Sequence, residues 1–141
     1  MKRKSTLMIS AAATLLAAAL AGCTTAAVAP KTPEQLVADR ALSYWRAVIA
    51  NDYKTTYALM TPGYRERYAY EKHILRSQPI ATFLTAGVKS VACPTEENCE
   101  AQVAVTFTNL QGVRMAAGAV DDTVLTDKWV RIDGQWWRVL P

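Results

Sequence analysis

Three cysteines, one histidine and six tyrosines carry most of the chemistry this 141-residue chain offers. Cys93 and Cys99 bracket Cys-Pro-Thr-Glu-Glu-Asn-Cys, with five turn-forming and acidic residues between them. An even pair at this spacing reads as a disulfide closing the end of a hairpin. Zinc would need two more ligands, and His73 is the only histidine, so no metal is expected. Redox catalysis favours a tighter Cys-x-x-Cys, and Pro94, Glu96 and Glu97 do nothing to stabilise a thiolate.

The remaining titratable groups give little sign of a reaction. His73 sits near a helix end beside Glu71, Lys72 and Arg76, where a solvated helix face accounts for it. Asp52 follows Asn51 at a helix break and reads as an N-cap rather than a general base. Asp121, Asp122, Asp127 and Asp133 are expected at strand ends or turns. All six tyrosines, Tyr44, Tyr53, Tyr57, Tyr64, Tyr68 and Tyr70, fall in the first half of the chain. Alternating charge in Tyr64-Arg65-Glu66-Arg67-Tyr68 reads as a solvated helix face.

The third cysteine has a different setting. Met1-Lys2-Arg3-Lys4 precedes an alanine-rich apolar run from about Leu7 to Ala21, which has the form of a secretory signal. The run is too short to prefer a permanent span. Its end, Leu20-Ala21-Gly22-Cys23, resembles the lipobox of bacterial lipoproteins. That resemblance implies residues 1–22 as a signal peptide, lipidation and N-acylation of Cys23, and a tether over 23–31. Two or three acyl chains anchor a protein stably where one does so marginally. Thr24, rather than an aspartate, after the cysteine implies the inner leaflet of the outer membrane, with the domain facing the periplasm. Without Lys2, Arg3 and Lys4 the 16 basic residues become 13 against 12 acidic ones, so the net charge falls from +4 to +1. A nucleic-acid partner then has no electrostatic support.

The elements that must position these residues divide the chain at about residue 79. Thr32-Pro33-Glu34-Gln35 is a capping box with proline at the first helical position. Leu36, Val37, Ala41, Tyr44, Trp45, Val48 and Ile49 follow at helical spacing. Further helices are expected from Tyr53 to about Met60 and from Tyr64 to Leu75. Beyond Pro79 the period changes to two. Strands are expected over 88–93, 101–108, 123–132 and 135–140, with a partial strand near Val113 to Met115. Asp133-Gly134, flanked by aromatic and β-branched residues, is a two-residue hairpin signal. It pairs Ile132 with Gln135, Arg131 with Trp136, Val130 with Trp137 and Trp129 with Arg138. One face then holds Val130, Ile132, Trp137 and Val139, expected inside. The other holds Trp129, Arg131, Trp136 and Arg138, expected outside as a partner-binding face of alternating indoles and guanidiniums.

Tyr44-Trp45-Arg46-Ala47 with Asn51-Asp52-Tyr53, then Tyr57-Ala58-Leu59-Met60-Thr61-Pro62, and finally Trp129 with Asp133-Gly134-Gln135-Trp136-Trp137, together resemble the nuclear transport factor two-like superfamily. The resemblance spans nearly all of residues 32–141. It implies an α+β domain in which a strongly curved antiparallel sheet of about four strands wraps the helices as a cone with a pocket. Tyr44, Tyr57, Tyr68, Val105, Phe107 and Trp137 are the candidate pocket residues. Three functional readings follow. The first is a non-catalytic envelope lipoprotein, tied to the membrane at Cys23, that binds a protein partner or dimerises through its sheet face. The alternative is a binder of a small apolar ligand in the cone, and the third an isomerase- or dehydratase-type enzyme. No cofactor is expected.

Overall fold

Thr32 starts the helical half as its sequence requires. In the computed structural model, which describes residues 29–78, 81–109 and 119–140, its side chain accepts from the Gln35 backbone while the Gln35 side chain returns the bond. Helix α1, Pro33–Ile49, buries Val37, Ala41, Trp45 and Ala47, while Leu36 stays 41% exposed. Asn51, at φ 54°, takes the left-handed conformation that ends helices, which asparagine tolerates better than most residues. Asp52 then caps α2, Tyr53–Ala58, its carboxylate accepting from the Thr55 backbone and hydroxyl.

The helix expected from Tyr64 to Leu75 is two helices, α3, Pro62–Arg67, and α4, Tyr70–Arg76. They separate because the chain is extended at Tyr68 and Ala69. The Tyr57 hydroxyl reaches the carbonyls of Arg65 and Tyr68, at 3.1 and 2.8 Å, and so satisfies acceptors that a helix end leaves free. Spacing alone does not reveal that break.

Four antiparallel strands in the order β1-β2-β3-β4 make one sheet: β1, Ala81–Thr95; β2, Asn98–Asn109; β3, Val120–Ile132; β4, Gln135–Val139. The fold is α+β. Strand β1 is much longer than the 88–93 expectation, and register shifts after Phe83, Val88 and Ala92 break the alternation that would have marked it. The hairpin end between β1 and β2 is closed by the Cys93–Cys99 disulfide. Asp133 and Gly134, both at positive φ, form the β3–β4 turn, and all four expected cross-strand pairs are present. At the far edge of β4, the Arg138 amide donates to Leu59 O, so that edge is not left open. The residues expected as a partial strand near Val113, together with the leader, Cys23 and most of the tether, lie outside the described residues.

The pairing holds, but the faces are opposite to those expected. Trp129 and Trp136 are 1% and 3% exposed in the core, and Arg138 is buried with them. Val130, Ile132, Trp137 and Val139 lie on the other face, each half-buried. The β2–β3 register decides the matter. It sets Cys99 beside Trp129, Ala101 beside Asp127 and Val103 beside Leu125. Those β2 residues form its apolar face, so their partners on β3 must point the same way. Helix α1 covers this side, with Val37, Ala41 and Trp45 packed into one cluster with β2 and the two indoles.

Candidate functional site

The inward turn of β3 and β4 carries charge into the core, and Asp127 neutralises it. Rather than lying at a strand end, Asp127 is in the middle of β3 and buried. One carboxylate oxygen accepts from Trp45 Nε1 at 2.6 Å. The other accepts from Arg138 Nη2 at 2.6 Å and Nε at 3.2 Å. The Arg138 guanidinium lies 4.1 Å from the centre of the Tyr44 ring. Burial raises the Tyr44 pKa, with the Arg138 charge opposing and that of Asp127 adding to it. This group of four ties α1 to the last two strands. A partner-binding face made of Trp129, Trp136 and Arg138 is therefore not at the surface, and of the four residues only Arg131 is exposed.

His73 is also inside, against the expectation of a solvated face. Thr56 Oγ1 lies 2.9 Å from its Nε2 and Tyr64 Oη lies 3.1 Å from its Nδ1. Thr56 already donates to Tyr53 O at 3.1 Å, so it accepts from Nε2–H, and Tyr64 donates to Nδ1. A neutral imidazole satisfies every partner in this chain. Burial lowers the His73 pKa, which agrees. Asp52 stays exposed as a cap, its pKa lowered chiefly by the Thr55 hydroxyl and amide.

Between these groups and the helices opens a pocket of about 290 Å³. Tyr44, Trp45 and Val48 of α1 and Phe83 of β1 form its walls. Trp45 meets Phe83 edge-on with ring centres 5.1 Å apart. Tyr53 and Thr56 of α2, Arg76 and Ser77 at the end of α4, and Leu140 also line it. No Asp, Glu or His among the described residues lines it. Among the described residues, no group of three or more His, Cys, Asp and Glu is placed to hold a metal ion.

Of the six candidate pocket residues, Tyr44 alone reaches this cavity. Val105 and Phe107 belong to the core between sheet and α1. Tyr57 joins an aromatic cluster with Tyr64, Tyr70 and His73. Tyr68 carries Arg67 and Arg76 on its ring. Trp137 lies under Arg40 and Arg65, whose guanidinium carbons are 5.3 and 4.8 Å from its centre. Burial lowers the Arg40 pKa. Trp45 and Val48 were legible from the apolar stripe of α1. Phe83 and Arg76 were not, because nothing local says that the start of β1 returns beside the end of α4.

No protein-family model matches the chain, and no curated protein matches it. Among solved structures it is similar to a SEC-C motif containing protein from Rhodopseudomonas palustris, with a TM-score of 0.52 and 14% identity over 76% of this chain and 74% of that one. It is also similar to a SEC-C motif containing protein from Psychrobacter arcticus, again at a TM-score of 0.52, with 10% identity. There it covers 74% of this chain and 60% of that one. At such identities the likeness is one of fold: a small α+β domain whose helices pack on an antiparallel sheet.

Proposed function

We propose that the chain is a non-catalytic binding module, held at the envelope membrane on its periplasmic side by lipid on Cys23, that takes a small and mostly apolar molecule in the pocket beside Tyr44, Trp45 and Phe83. The pocket itself carries the reading. It combines aromatic and aliphatic walls with a few hydroxyls and one guanidinium, the mixture that orients a small ligand without reacting with it. Helices on a four-stranded sheet, with a cavity lined from both, accord with a nuclear transport factor two-like cone.

Two observations favour binding over catalysis. The buried acid and the buried histidine are both held by fixed partners, Asp127 by Trp45 and Arg138, His73 by Thr56 and Tyr64. Neither faces the pocket. Docking through the outer sheet face has less in its favour, since Thr85 bonds Thr106 and Gln102 bonds Thr126 across the strands there.

The test uses the neutral apolar dye N-phenyl-1-naphthylamine. Saturable fluorescence enhancement is expected with the wild-type chain, weakened at least about tenfold by Val48→Trp, which fills the cavity. Enhancement no greater than that given by denatured protein would end the reading. Fractionation tests the anchor: Cys23→Ser should move the protein from the membrane pellet to the soluble fraction.

A further inference from the structure

Among the described residues that line the pocket, Arg76 is the one charged side chain and none is an acid. Arg76 is the last residue of α4, and its guanidinium lies 4.8 Å from the centre of the Tyr68 ring. The Arg76 charge also opposes the rise that burial gives the Tyr64 pKa. An arginine stacked on a ring has lost part of its freedom before any ligand arrives. No carboxylate forms an ion pair with it among the described residues, where the two ion pairs are Lys31–Asp39 and Arg138–Asp127. Ser77, the next residue, also lines the pocket, as does Thr56, whose hydroxyl is taken up by Tyr53 O and His73. The lining also includes the mostly apolar Tyr44, Val48 and Phe83.

From this arrangement, and resting on the binding role above, we propose that the pocket selects molecules with one anionic end. A carboxylate is held by Arg76 and Ser77 while an apolar body lies along Tyr44, Val48 and Phe83. A guanidinium matches a carboxylate with two parallel N–H donors, which a neutral alcohol cannot use. A cavity of about 290 Å³ lies at the small end of the roughly 300–1,000 Å³ range of small-molecule pockets. The ligand class is therefore a short amphipathic monocarboxylic acid.

Octanoate and 1-octanol differ at one end only and test the charge separately from the pocket. Isothermal titration of the full chain at pH 7.5 and low salt should show octanoate binding about tenfold more tightly than octanol. Raising the salt should narrow that gap, because Arg76 is exposed and its field is screened. Arg76→Gln should erase the preference, bringing octanoate affinity down to that of octanol. Arg76→Lys, which keeps the charge without the planar fork, should retain part of it. Equal binding of acid and alcohol, or a preference that survives in Arg76→Gln, overturns the anion proposal. In either case the binding role stands if the neutral dye is still taken up. If octanoate, octanol and the dye all fail to bind, both fall.

Discussion

Asp127 and Arg138 sit on neighbouring strands and meet at 2.6 Å with both side chains withdrawn from solvent. Trp45 of α1 donates to the same carboxylate, so a single acid joins the first helix to the last strand. Removing one partner of a buried ion pair strands the other, at about 3–5 kcal/mol. Asp127→Leu and Arg138→Met should each destabilise by that order in urea unfolding. The double variant Asp127→Leu with Arg138→Met should lose less than the two single losses together. Trp45→Phe, which removes one hydrogen bond to a charged group, should lose about 1.5–3 kcal/mol. Additive losses in the double variant would show that the pair is not coupled.

Trp136 and Trp137 are adjacent in sequence and opposite in role. Trp136 is core, so Trp136→Ala should destabilise by about 3–5 kcal/mol. Trp137 is half-buried, and its ring carries Arg40 and Arg65. Trp137→Ala should lose only about 1–2 kcal/mol, mostly the two cation–π contacts. Larger damage from Trp137→Ala than from Trp136→Ala in the same denaturation experiment would reverse the face assignment.

His73 should make stability fall on mild acidification. Burial lowers its pKa in the folded chain below the ordinary 6.5. The unfolded chain therefore takes up the proton first. Its contribution is complete above about pH 6.5 and is lost as the pH falls through that value toward the lower folded pKa. A protonated ring would also present Nδ1–H to the Tyr64 hydroxyl, which now donates to it. Urea midpoints at pH 7.5, 6.5 and 5.5 should fall more steeply for wild type than for His73→Asn. Identical slopes would exclude His73 as the source.

The Cys93–Cys99 bond closes a small loop, six residues apart, at the tip of the β1–β2 hairpin. Its loss should lower stability by about 2–3 kcal/mol through the freer unfolded chain. Cys99 is buried against Trp129 in the core register, so the pair Cys93→Ala and Cys99→Ala is a cleaner test than serine. Thermal melts with and without dithiothreitol should differ for wild type and coincide for the double variant.

The elements themselves were largely written in local sequence. A capping box at Thr32 and Gln35, a cap at Asp52 and the positive-φ turn at Asp133-Gly134 depend on interactions within a few residues. So did the cross-strand pairs of β3 and β4, because a two-residue turn leaves no freedom in register. The cysteine pair was legible for the same reason, being local and even in number.

Which way those strands face was not local. Both faces of the hairpin carry apolar residues, Val130, Ile132 and Trp137 on one side and Trp129 and Trp136 on the other. Period-two reasoning cannot rank them. The choice rests on the register of β3 against β2, set across a connection of about ten residues, and on Trp45, 82 residues from Asp127 in sequence. Burying two indoles with their charges is favourable because Asp127 pairs with Arg138 once the fold is complete. The pocket has the same origin. Sequence alone determined α1, the cap of α2, the β3–β4 turn and the cysteine pair, but neither the break between α3 and α4 nor the reach of β1. Only the tertiary structure decided that Arg76, Phe83 and Tyr44 share one cavity, because each is placed by packing between distant elements rather than by its neighbours.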